Sequence, residues 1–182
     1  MFKQTVIEES PASKFLFANP ASAWLWLIIR VYVGWAWLLA GWEKVINPVW
    51  SGSTAGGALS GFIQGALAKT TGAHPDVTSW YAAFLQNIVL PNANLWSHFI
   101  AYGELLVGLG LILGCLTGIA AFFGLFMNLN YLLAGTISSN PILLTLSVGL
   151  VLAWRVAGYW GVDRYLMPIL GTPWRPGRLF HR

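Results

Sequence analysis

Charge is what this sequence has least of. Only 9% of its 182 residues are Asp, Glu, Lys or Arg, against about 25% in an ordinary soluble domain. That shortfall, with a mean hydropathy of +0.64, excludes a solvated surface all round. Cysteine is nearly absent as well. Cys115 stands alone, so one chain can build no disulfide framework, no C-x-x-C redox pair and no zinc cluster; it reads as a small apolar residue at a helix end. His74, His98 and His181 are too scattered to hold a haem between helices. No Ser-His-Asp arrangement, flavin site or metal site is legible. The net charge of +4 gathers near the termini rather than forming a basic stripe with exposed aromatics, which argues against nucleic acid as a partner.

Apolar residues make up 57% of the chain, with 11 Trp and 20 Gly. The partner they imply is the lipid bilayer. Residues 21–42 are long enough to cross it, since about 20 apolar residues suffice. Further spans are expected over residues 95–114, 116–137 and 142–160. Trp24, Trp26 and Trp42 suit the aromatic belts at the two interfaces. Residues 1–20 form a polar lead carrying Lys3, Glu8, Glu9 and Lys14; they do not read as a signal peptide, because the apolar segment that follows is too long. The insertion 43–94 shows apolar residues at helical spacing over 58–67 and again over 80–88. These predict two amphipathic helices lying on the membrane or folded over the bundle, the second ended by Pro91. The tail 163–182 is basic, and Pro168, Pro173 and Pro176 keep it from forming a long helix. The expected fold is all-α: an integral membrane four-helix bundle, residues 21–162, with an extracytoplasmic insertion between its first two helices. Basic flanks stay in the cytoplasm, which predicts cytoplasmic N- and C-termini.

Within the apolar spans a few polar residues stand out. Glu104 lies near the middle of 95–114, where an unpartnered carboxylate costs several kcal/mol, so an intramembrane acid marks a functional site. Counted at about 1.5 Å per residue, Arg30, Glu104 and Arg155 reach similar depths, with Asn128 and Tyr131 near the middle of the third span. The expectation is that Arg30 and Arg155 flank Glu104 inside the bundle. Two guanidinium groups against one carboxylate leave a surplus positive charge, which a ligand accepting hydrogen bonds would satisfy. The competing reading is a structural ion cluster that serves packing alone. Trp37 and Tyr131 read first as plain bundle packing and second as surfaces for a bound ligand, and Lys44 is placed near the outer mouth, either snorkelling or attracting an anion. The run Gly108-Leu-Gly110-Leu-Ile-Leu-Gly114 is not a dinucleotide fingerprint, since it is misspaced and lies inside an apolar helix.

Arg30-Val-Tyr-Val-Gly34 followed by Ala40-Gly41-Trp42-Glu43-Lys44 resembles the first-helix pattern of the DoxX/DoxD family of small prokaryotic membrane proteins. Tyr102-Gly103-Glu104-Leu-Leu-Val-Gly108, Asn128-Leu-Asn-Tyr131, Ser138-Ser-Asn-Pro141 and Gly158-Tyr-Trp-Gly-Val-Asp-Arg-Tyr165 are similar to its later segments. The resemblance covers residues 21–171. It implies four helices in a prokaryotic inner membrane. Its DoxD branch implies a thiosulfate:quinone oxidoreductase membrane subunit that works beside a second subunit, DoxA, with quinone as a substrate. On that reading Arg30 or Arg155 stabilises charge on the quinone oxygens and Glu104 relays protons. The alternatives are a non-catalytic scaffold for soluble redox or stress partners and, with thinner support, a small transporter. A second copy of the chain stays open as a partner.

Overall fold

The structure, a computed structural model, describes residues 8–172 and 175–179; Lys3, Pro173, His181 and Arg182 lie outside the described residues. A short helix α1 (Pro11–Ala18) starts at Ser10, whose hydroxyl accepts the Ser13 amide at 3.1 Å, with Pro11 in the first turn. A missing N–H costs nothing there. The first long helix, α2 (Ala23–Val45), is followed by α3 (Pro48–Ser51), α4 (Gly57–Leu67) and α5 (Ser79–Phe84). Then come α6 (Ala93–Leu113), α7 (Thr117–Leu133), α8 (Asn140–Leu152), α9 (Trp154–Ala157) and α10 (Asp163–Leu170). A two-residue antiparallel pairing joins Gly171–Thr172 to Arg175–Pro176. The described residues are otherwise all-α.

Among the described residues two helical stretches are long and apolar enough to cross a membrane, Pro20–Val45 and Ser79–Leu113; Thr117–Leu133 and Asn140–Leu152 are shorter apolar helices. The second stretch corrects one expectation. Pro91 does not end the 80–88 helix. A π turn (Leu85–Val89) and a 3-10 turn (Leu90–Asn92) carry the chain from α5 straight into α6, with Pro91 in the first turn of the 3-10 segment. The widened turn absorbs the proline, whose absent N–H is not required at that position. The expected helix over 142–160 is also interrupted, at Ala153. The chain turns there so that Trp154 covers Gly118 and Asp163 reaches the first amides of α7.

Glycines set how α2 and α6 lie against each other. A Cβ on Gly41 would come within 2.3 Å of the Leu105 amide, one on Gly108 within 2.4 Å of the Leu38 amide, and one on Gly34 within 2.9 Å of Leu111 Cβ. Backbones approach this closely only where side chains are missing. These three contacts fix an antiparallel register in which Gly41 faces Glu104 and Gly34 faces Leu111. One apolar core runs along α2, α6, α7 and α8 through Trp26, Val33, Leu111, Ala121 and Leu150. A second lies under α4 and α5, built from Leu59, Ile63, Tyr81, Leu85 and Val89, and it reaches Ala134 just past α7. Outward-facing Ile28, Trp35, Leu106, Phe122 and Leu152 are exposed, giving the long helices a surface matched to hydrocarbon rather than water.

Candidate functional site

Glu104 sits where the two cores meet, and only 1% of its side chain is accessible. Its Oε2 receives Lys44 Nζ at 2.6 Å, and its Oε1 accepts the Tyr131 hydroxyl. Lys44 comes from the last turn of α2, one turn beyond the Gly41 contact that brings α2 against Glu104. Its side chain keeps 19% exposure and its ammonium lies 5.2 Å from the centre of the Trp50 ring, within cation–π range. The charge of Glu104 is therefore matched one to one, and Lys44 links it to the cap formed by α3–α5. Tyr131 stacks on Trp37 at 6.4 Å and meets the edge of Phe62 at 6.1 Å. Nearby, the Tyr81 hydroxyl donates to the Asn130 carbonyl at 3.0 Å, and Lys69 Nζ donates to the Gly135 carbonyl at 2.7 Å. These two bonds fasten the cap to the C-terminal end of α7.

An elongated cavity of about 1120 Å³ opens from this cluster. Lys44, Glu104 and Tyr131 line its middle, between Tyr81, Leu85 and Val89 under the cap and Leu113, Leu116 and Ile119 near the α6–α7 turn. Most of the wall between them is aliphatic or aromatic. An apolar cleft with a few convergent polar groups is the usual form of a small-molecule site.

The expected convergence of Arg30 and Arg155 on Glu104 is not observed. Arg30 is buried, 1% exposed, and its Nη2 donates to the Trp160 carbonyl at 3.1 Å. It lies against Gly114 and Gly161, where an added Cβ would fall 1.6 Å and 2.8 Å from Nη1. Gly41, not Arg30, faces Glu104, and the two positions are eleven residues apart, about 16 Å along α2. The cause is an overhang. Residues 21–29 extend past the α6–α7 turn, so depths counted from the two span edges do not share an origin. Arg155 is exposed on α9, next to Trp154, which packs on Gly118 in the first turn of α7. Both arginines belong to the far end of the bundle.

The other expected residues divide. Trp37 and Tyr131 line the cavity, as does Lys44. Asn128 is completely buried, and neither its amide nitrogen nor its oxygen has a hydrogen-bond partner among the described residues. Asp163 carried no expectation and turns out to organise the Arg30 end. Its Oδ1 accepts the Leu116 amide at 2.6 Å and its Oδ2 the Thr117 amide at 2.8 Å, capping α7 from 46 positions downstream. Leu116 itself has a φ of 50°, a conformation costly for a branched side chain, and the carboxylate holds it there. No local motif announces this cap, because its acceptor is remote in sequence. The Lys44–Glu104 pair was legible in principle: placing the glycines of the first span against those of the second brings Lys44 within a turn of Glu104.

Residues 25–136 match the family model described as DoxX, a stretch that includes Lys44, Glu104, Asn128 and Tyr131 and excludes Arg155. No curated protein and no solved structure matches the chain. The match covers more than half of the sequence, with all of Ser79–Leu113 and all but the first turn of Pro20–Val45. The chain belongs to the DoxX family of membrane proteins.

Proposed function

We propose that the chain is the membrane subunit of an oxidoreductase that passes electrons from a small, thiosulfate-like sulfur substrate to membrane quinone. The quinone ring sits at Lys44, Glu104 and Tyr131. One observation carries this reading: a Lys–Glu–Tyr cluster lines an otherwise largely apolar cavity. The cavity volume suits a lipophilic ligand, and the cluster supplies what a quinone oxygen requires as it gains charge. Lys44 and Tyr131 are donors able to turn from Glu104 to that oxygen. Glu104 then holds the proton exchanged in the step. The chemistry balances when two thiosulfates join through a new sulfur–sulfur bond and release two electrons, and the quinone takes up those electrons with two protons. A DoxA-like second subunit supplies the sulfur chemistry. Four helices cross a prokaryotic inner membrane on this reading, with both termini cytoplasmic and α3–α5 on the opposite side.

A second reading, a non-catalytic anchor for soluble redox partners, is favoured by the fact that both Glu104 oxygens are already engaged within the chain. Ion pairs of this kind can serve packing specificity alone. Glu104→Gln and Lys44→Met separate the two. The oxidoreductase reading expects both variants to lose co-extracted quinone and thiosulfate-dependent quinone reduction in the presence of the second subunit. Folded variants that keep both properties leave the anchor.

A further inference from the structure

The glycines of α2 and α6 are not all bare for the same reason. On Gly34, Gly41 and Gly108 an added Cβ would strike a neighbouring helix at 2.9 Å or less, and on Gly110 it would meet Ala120 at 3.0 Å. Those positions are bare because helices touch there. Gly103 is different. A Cβ at Gly103 would meet one atom, Met127 Sδ, at the ordinary contact distance of 3.6 Å. The next residue is Glu104, and both Gly103 and Met127 line the cavity. So α6 and α7 close on each other near their connecting turn, at Gly110 and Ala120, and part on the outer side beside Gly103, where Met127 Sδ lies in the gap and the Tyr131–Glu104 hydrogen bond spans the helices behind it. The rims of the gap, Phe99, Leu106, Phe123 and Phe126, are exposed on the apolar exterior.

We propose that the ligand of this site is loaded sideways from the lipid through the gap between α6 and α7, with Gly103 and Met127 as its throat, and that an apolar tail on the ligand lies in the groove running from Glu104 to Leu113. This rests on the reading of the Lys44–Glu104–Tyr131 cluster as a quinone site and adds the entry route, the seat for the tail and the residue that gates it. From Glu104 to Leu113 the groove follows nine residues of α6, about 14 Å. The substrate class is therefore a polar ring with a chain of at least that length, and a compact polar molecule leaves most of the cavity unfilled. Continuity fixes the occupant: the groove and the ion pair are parts of one cavity. Met127 suits the throat because an unbranched thioether adapts to what passes.

The test has two arms, both on the full chain in vesicles. In the first, a benzoquinone whose tail spans about 14 Å and ends in a diazirine is bound and photolysed. Labels concentrated on Leu113, Leu116 and Ile119, and suppressed by excess unlabelled quinone, are expected. Labels spread over all outward apolar residues, as a diazirine fatty acid would give, overturn the tail seat. In the second arm Gly103→Leu plugs the throat and is expected to slow quinone loading at least tenfold, and Met127→Ala is expected to restore the loading rate to Gly103→Leu. Quinone loaded at the wild-type rate by folded Gly103→Leu removes the lateral route yet leaves the site itself standing. If the unaltered chain binds no quinone, the failure belongs to the earlier reading. The labelling arm decides the proposal even where Gly103→Leu folds poorly.

Discussion

Lys44 Nζ and Glu104 Oε2 are 2.6 Å apart at the junction of two apolar cores. Removing Lys44 strands the 1% exposed Glu104, which costs about 3–5 kcal/mol for a buried pair, whereas Lys44, 19% exposed, loses less when Glu104 is removed. Replacing both with apolar residues of similar size should recover most of that loss. Denaturant unfolding in detergent of Lys44→Met, Glu104→Leu and the double variant measures the coupling. Strictly additive losses would mean that the pair does not stabilise the fold as a unit.

Tyr131→Phe removes the hydroxyl bonded to Glu104 and keeps the ring that packs on Trp37 and Phe62. A hydrogen bond to a charged group contributes about 1.5–3 kcal/mol, so the variant should remain folded with a stability loss in that range. Quinone retention should fall with it, because the second donor is gone. Unfolding midpoints and extracted quinone are measured on the same preparation; undiminished quinone would place the ligand away from Tyr131.

Arg155→Ala should change quinone binding less than about twofold, a difference under 0.5 kcal/mol. Arg155 is exposed at the opposite end of the bundle from Glu104. Titration of a quinone against wild type and variant checks this. A loss as large as that of Glu104→Gln would restore the arginine to the site.

At that opposite end Gly114 has a φ of +65°, and its missing Cβ makes room for Arg30 Nη1. Gly114→Ala meets two penalties: a left-handed backbone costs about 1–2 kcal/mol for an L residue, and the arginine must move. Asp163→Ala removes the acceptor for two amides of α7, worth about 0.5–2 kcal/mol for an N-terminal cap. Both variants should lose stability in thermal unfolding while quinone affinity in the folded fraction stays unchanged. Unaltered melting of Gly114→Ala would show that Arg30 does not occupy the space beside it.

What the sequence disclosed and what it withheld follow from the range of each interaction. Hydrophobic run length marked α2 and α6 because a helix long enough for a bilayer is a local property. Glu104 stood out as a lone acid among apolar neighbours, and Lys44, Tyr131 and Trp37 were singled out as residues. Their assembly was harder to foresee. Depth counted from span edges brought Arg30 to Glu104, whereas the register is set by Gly41 against Leu105 and Gly108 against Leu38. Such contacts are pairwise and distant in sequence, so periodicity does not reveal them. The passage from α5 through Pro91 into α6 was hidden for a related reason: proline stops a regular helix, and only a π turn beside it lets the chain continue.

The remote cap on α7 has a consequence for biosynthesis. A ribosome finishes Leu116 and Thr117 well before it reaches Asp163, so the third long helix leaves the exit tunnel with its leading amides unclaimed. The clasp that secures it, with Arg30 alongside, can close only after the rest of the bundle has been translated. A nascent chain arrested ahead of codon 163 should therefore carry a protease-sensitive α6–α7 corner, and release of the following residues should seal it.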